Sequence, residues 1–244
     1  MTGLDRMTWP GAGASARAGS VLLVPVGATE QHGPHLPLTT DTDLAVAVVD
    51  RAGALDPSLV AAPALAYGAS GEHVGFAGTL SVGQDAVELV LLELGRSAAA
   101  TFDRVVLVST HGGNAGPLAR AVARLAGEGR PVAAWSPRWG GDAHAGRTET
   151  SLMLAVAPDR VRLDAAAPGD TRPLDELLPL LRAGGVGSVS ANGVLGDPTG
   201  ASAGEGRRLL AAAAAELAAA ARGAARPAVP PTPEPSGTGS EARP

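Results

Sequence analysis

The 244-residue chain contains no cysteine. That absence excludes a disulfide framework, a thiolate zinc site and a cysteine nucleophile, so a metal here has only imidazole and carboxylate to hold it. Lysine is also missing, all 19 basic residues being arginine against 24 acidic ones. No basic stripe gathers to neutralise a phosphate backbone, and nucleic acid is not expected as a partner. Long apolar runs are missing too: none reaches the roughly 20 residues of a membrane span, and Met1 to Ser20 lacks the apolar core of a secretory signal. A cytoplasmic protein without a membrane partner is expected. The length suits one α/β domain, placed at residues 1–225, followed by a proline-rich tail at 226–244 expected to be disordered.

What the chain does contain is concentrated in one stretch. Val21 to Gly27 is a short apolar run that reads as a buried parallel strand. Directly after it come Glu30, Gln31, His32, His35, Asp41 and Asp43, most of them able to bind a metal or a proton. In open α/β sheets, ligands gather outside the carboxyl ends of strands, which is where this segment falls.

The same arrangement returns further along. A helix is expected from Asp43 to Ala54, capped by Asp41 or Asp43, and a second strand from Leu59 to Leu65. It empties into a glycine-punctuated loop carrying Glu72 and His73. Gln84 to Thr101 has apolar residues at helical spacing. The run Val105 to Val108 reads as a strand ending at His111-Gly112-Gly113-Asn114, with a helix over Ala115 to Ala126 and a strand from Pro131 to Trp135. A glycine-rich turn carries His144 into a helix start containing Glu149. A short helix is expected over Asp175 to Arg182 and a final one over Arg207 to Arg222, with only a thin apolar face. The alternation of strand and helix indicates a three-layer α/β/α sandwich with a mainly parallel sheet.

Each of these groups has a plainer use. Asp41 or Asp43 can cap a helix, Glu149 can favour a helix dipole, His111 can be a bonded strand-end residue, and Glu72 with His73 can be a solvated pair. The Gly112-Gly113 pair has neither a Walker lysine nor dinucleotide spacing. Three polar clusters at successive strand ends nevertheless point to one site. Glu30 and His32, two residues apart, share one side of an extended segment. With Asp41, His111 and Glu149 they make a mixed nitrogen and oxygen set suited to two divalent ions such as zinc, manganese or iron.

The segment from Val24 to Pro37 followed by Asp41, the run Thr110 to Asn114, and His144 to Ser151 resemble, in order, three motifs of the creatininase family. The resemblance spans about residues 20 to 205. It implies a three-layer fold, a two-metal amidohydrolase site and a homo-oligomer. It also implies one metal at Glu30, Asp41 and His111, and a second at His32, Asp41 and Glu149. His144, placed at a rim, is the expected catalytic proton carrier; His35, Glu72 and His73 are expected to support ligands or substrate. Creatininase proper has an aromatic residue and a metal-binding glutamate directly after the second-motif histidine; Gly112 and Gly113 stand there, so Glu149 is expected to complete the shell. The loop from Tyr67 to Ser81 and Gly196 to Ser202 look most like the family's mycofactocin-system members, peptidases that free a C-terminal Val-Tyr dipeptide from a modified precursor peptide. A small cyclic amide or formamide is the alternative substrate, and a non-catalytic metal- or ligand-binding protein on the same fold is the alternative class.

Overall fold

A computed structural model describes residues 3–223; the expected tail lies outside them. Four strands form one sheet in the order β2-β1-β3-β4, all pairs parallel. They are β1 (Val21–Val26), β2 (Leu59–Ala61), β3 (Val105–Ser109) and β4 (Val132–Trp135). Both faces of β1 and β3 are buried, which is why their sequences are unbroken apolar runs rather than alternating ones. Val21, Leu23, Val106 and Val108 point into one core with Leu44, Val48, Leu152, Leu210 and Leu217. Leu22, Val24, Val26, Val105 and Leu107 point into the other with Val87, Leu91, Leu118 and Leu125.

The first core is roofed by α2 (Thr40–Leu55), α5 (Arg147–Val156) and α7 (Ala203–Gly223), the second by α3 (Gln84–Ala98) and α4 (Ala115–Gly127). The architecture is the expected α/β/α sandwich. Helix α1 (Trp9–Arg17) precedes the sheet and α6 (Leu174–Gly184) follows α5. Neither expected cap closes α2. Thr39 precedes the helix without capping it through its side chain, and Asp41 and Asp43 fall in the first turn, where the helix dipole favours carboxylates. Asp43 accepts from the Thr39 hydroxyl at 2.8 Å and pairs with Arg160 at 2.7 Å.

Helix α7 begins four residues earlier than expected, and its buried face is wider than leucine spacing suggested. Ala213, Ala214, Ala218 and Ala221 are buried beside Leu210 and Leu217. At Gly206 a Cβ would stand 1.9 Å from Ser151 O, so α7 and α5 meet backbone to backbone. No helix among the described residues is long and apolar enough to cross a membrane.

The chain leaves β1 for β2 on one side and later returns to β3 on the other. The sheet therefore changes winding direction between β1 and β3, and the carboxyl ends of those two strands open the crevice where α/β folds bind their ligands.

Candidate metal centre

Both strands at that crevice deliver donors. After β1 the chain folds back on itself, Glu30 N donating to Leu38 O at 2.9 Å, and this turns Glu30 and His32 inward. The first turn of α2 supplies Asp41. Gly27 permits the approach, since a Cβ there would lie 2.4 Å from the Thr42 Cα. His111 follows β3, and the neighbouring Thr110 hydroxyl donates to Asp41 O at 2.7 Å, tying the two exits together. His73 arrives on a one-turn 3-10 helix, Gly71–His73, within the loop before α3. His144 and Glu149 come from the turn into α5. There Ala145 adopts φ 54°, a left-handed conformation unusual for a residue with a Cβ, and its N–H donates to Glu149 Oε2 at 2.6 Å.

The groups converge closely. His111 Nε2 is 3.2 Å from Glu30 Oε2, and His111 Nδ1 is 3.4 Å from Asp41 Oδ2. His32 Nε2 stands 3.6 Å from Asp41 Oδ1 and 3.9 Å from Glu149 Oε2. His73 Nε2 is 3.3 Å from Glu30 Oε1, and His144 Nδ1 is 4.0 Å from the same oxygen. Three triplets offer one donor atom each within 4.8 Å of one another: Glu30-Asp41-His111, His32-His144-Glu149 and Glu30-His73-His144.

Burial makes this arrangement informative. Glu30 and His32 are wholly inaccessible and Asp41 nearly so. Yet both Glu30 carboxylate oxygens, His32 Nε2 and Asp41 Oδ2 have no hydrogen-bond partner. An orphaned buried polar atom costs about 1–3 kcal/mol. Four together, all imidazole nitrogen or carboxylate oxygen, form a donor set that fits divalent cations.

Without a cation, protons carry the compensating charge. Burial and the neighbouring Asp41 charge push Glu30 up to about 8. For His32, burial opposes protonation, but the charges of Asp41, Glu149 and Glu30 outweigh it and lift the imidazole to about 10. His111 is raised: burial works against it, and the charges of Asp41 and Glu30 overcome that. Glu149 is raised by burial. Asp41 is lowered, its burial outweighed by the His32 and His111 charges. Burial and the cationic His32 and His111 drive His73 down to about 3, and burial with His32 and His73 holds His144 well below its ordinary value.

Of the residues singled out from sequence, Glu30, His32, Asp41, His73, His111, His144 and Glu149 meet here. His144 is buried rather than at a rim; its Nε2 donates to Gln31 O at 2.8 Å, which leaves Nδ1 facing Glu30. His35 belongs to none of the triplets, its Nε2 pairing with the Thr150 hydroxyl at 2.9 Å. Glu72 is half-buried beside His111 and Gly113. Two braces escaped sequence reasoning. Asn114 donates to Gly27 O at 3.0 Å and accepts from Ala69 N at 3.0 Å, joining the β1 exit, the β3 exit and the loop before α3. Gln31 donates to His73 Nδ1 at 2.8 Å and to Gly193 O at 3.0 Å. An amide beside a histidine motif carries no spacing signal of its own.

Relatives share this framework. The mycofactocin precursor peptide peptidase of Mycolicibacterium smegmatis is 55% identical over 198 residues, covering 78% of this chain and 80% of that protein. Its counterpart from Mycobacterium ulcerans is 51% identical over 214 residues, covering 84% and 81%. A solved structure of creatininase in a manganese form superposes with a TM-score of 0.76 at 28% identity, covering 91% of this chain and 97% of that one. The profile of the creatininase family, described as creatinine amidohydrolase, matches residues 5–221. The chain belongs to the creatininase family and is a hydrolase of amide or peptide bonds.

Proposed function

We propose that this hydrolase cleaves a peptide bond in a modified precursor peptide, releasing a C-terminal Val-Tyr-derived dipeptide in mycofactocin biosynthesis. The two mycobacterial relatives named above carry the substrate reading, since both are named precursor peptide peptidases. The four orphaned buried atoms carry the chemistry. Glu30, Asp41 and His111 would hold one divalent ion, and His32, Asp41 and Glu149 a second. When bound, such ions supply Lewis acidity to the amide carbonyl and acidify a water.

The protein's own groups do the rest. Asp41 reaches both positions, with one oxygen towards His32 and the other towards His111. The Gln31 carbonyl fixes the His144 proton on Nε2, leaving the Nδ1 lone pair aimed at the donors. An imidazole so held can accept a proton at Nδ1 and pass it to the leaving amine. The Ala145 N–H keeps Glu149 turned inward.

A second role for His144, as a ligand rather than a proton carrier, is supported by its membership in two of the three triplets. His144→Ala decides between them: a proton carrier loses turnover by about 10²-fold or more with metal content unchanged, a ligand loses metal. For the substrate, the modified precursor peptide is incubated with the protein and the products are weighed. A dipeptide mass that vanishes with chelator and returns with added divalent metal is expected. No cleavage of the peptide, with ring opening of a small cyclic amide instead, would replace the peptide reading.

A further inference from the structure

Of the five histidines, His35 alone takes no part in the donor triplets, and its burial carries a cost. The residue is 1% exposed, yet its Nδ1 has no hydrogen-bond partner. Gly33 lies against that edge of the ring with φ 65°, and a Cβ there would stand 3.0 Å from His35 Nδ1 and 2.7 Å from Val194 Cγ2. A buried nitrogen left unpaired costs about 1–3 kcal/mol, which an apolar side chain of similar shape would not incur. What the imidazole offers in its place is the other nitrogen.

His35 Nε2 and the Thr150 hydroxyl lie 2.9 Å apart. Thr150 is wholly buried in the first turn of α5 and directly follows Glu149, while His35 stands three residues after His32. The segments that carry His32 and Glu149, whose side chains face each other at 3.9 Å, are thus joined a second time by His35 and Thr150. The backbone takes part as well. His35 O accepts from Arg162 N at 2.8 Å, beyond the far end of α5, and a bridge between His32 and Leu36 closes the turn that carries both histidines. Apolar packing of α5 on α7 is non-directional and sets how deep the helix sits. Directional bonds from one residue near both of its ends fix where it sits along its axis. The Ala145 N–H turns the Glu149 carboxylate inward; the bond to His35 sets the place from which the helix delivers it.

We propose that His35 is a positioning residue: by binding Thr150 it fixes the first turn of α5 against the β1 exit, so that Glu149 stands opposite His32 across one metal position. It acts through Thr150 and touches neither ion nor substrate. The role is that of an outer hydrogen bond that orients a ligand, and it rests on the reading of His32, Asp41 and Glu149 as a metal position.

The test titrates zinc into the full-length protein against a chromophoric chelator and follows urea unfolding of the metal-free protein. It compares the wild type with His32→Ala, Thr150→Val, Thr150→Ser, His35→Ala, His35→Gln and the double variant His35→Ala with Thr150→Val. The wild type is expected to take two equivalents and His32→Ala one. Thr150→Val, which keeps shape and loses the hydroxyl, should weaken one equivalent about 10–100-fold and leave the other in place. Thr150→Ser should recover most of that loss, and His35→Gln, which brings an amide close to where Nε2 stands, part of it. His35→Ala should match Thr150→Val, and the double variant should lose no more than either alone, since both break the same bond. Thr150→Val decides the matter should His35→Ala fail to fold. Wild-type zinc affinity in Thr150→Val, whatever its urea midpoint, reduces the bond to core packing and overturns the role of His35. Equal weakening of both equivalents overturns it too, since that marks a general loosening; in either case the metal position stands. Two equivalents at wild-type affinity in His32→Ala overturn the second metal position itself, and the role of His35 with it.

Discussion

Loading this centre with metal should expel protons, and two of its donors, His32 and Glu30, are lifted above neutrality. In the metal-free protein His32 titrates at about 10 and Glu30 at about 8. At pH 7 both are protonated, whereas a ligand must be free of its proton. Uptake at pH 7 should therefore release about two protons, falling to about one at pH 9 where Glu30 has already ionised. Stripping His32 three pH units below its titration point takes about 4 kcal/mol, and Glu30 about 1 kcal/mol, out of the intrinsic affinity. The combined affinity for the two ions should then climb about 100-fold per pH unit near neutrality and about 10-fold per unit between pH 8 and 10. His111 and Glu149, both raised, push in the same direction. Calorimetric titration with zinc in buffers of different ionisation enthalpy measures this directly, because the slope of heat against that enthalpy counts the protons. A zero slope at pH 7, or equal slopes at pH 7 and 9, would refute the picture of a proton-filled donor set.

Two further outcomes follow from the same geometry. Above about pH 6.5 the folded metal-free chain retains protons on His32 and Glu30 that the unfolded chain has released, so stability must fall as pH rises. Chelator-treated protein should lose on the order of 3 kcal/mol between pH 7 and 9, seen as a lower melting temperature; a rising one would contradict the sign. Asn114→Ala removes two buried hydrogen bonds and leaves Gly27 O and Ala69 N unpaired. A destabilisation of about 2–4 kcal/mol in urea unfolding is expected, and a value near zero would mean that the brace is idle.

The elements that could be read from sequence are those whose burial is complete. β1 and β3 are apolar without interruption because both faces are covered. β2, an edge strand, stops at Ala61 rather than Leu65; past it Pro63 intervenes and only an isolated bridge joins Leu65 to Val26. Helix α1 escaped because Trp9–Arg17 mixes glycine, proline and alanine and buries only Ala16, leaving no apolar period to detect. In α7 the period was present but written in alanine, whose small side chain serves close helix contact and registers weakly as hydrophobic. Within the site, residue type and strand-end position marked Glu30, His32, Asp41, His111 and Glu149. Burial of His144 and the braces Asn114 and Gln31 depend on segments far apart in the chain, and no local pattern records them.

The donor triplets also bear on how the chain unfolds. Glu30 and Glu149 are separated by roughly 120 residues, with Asp41, His73 and His111 in between. A bound ion there would tie the β1 exit to the start of α5 as a covalent bridge does elsewhere, and closing a loop of that size removes close to 5 kcal/mol of chain entropy from the unfolded state in the simplest treatment. For a protein with no cysteine to cross-link, a metal-loaded centre at the carboxyl edge of the sheet would double as its clasp.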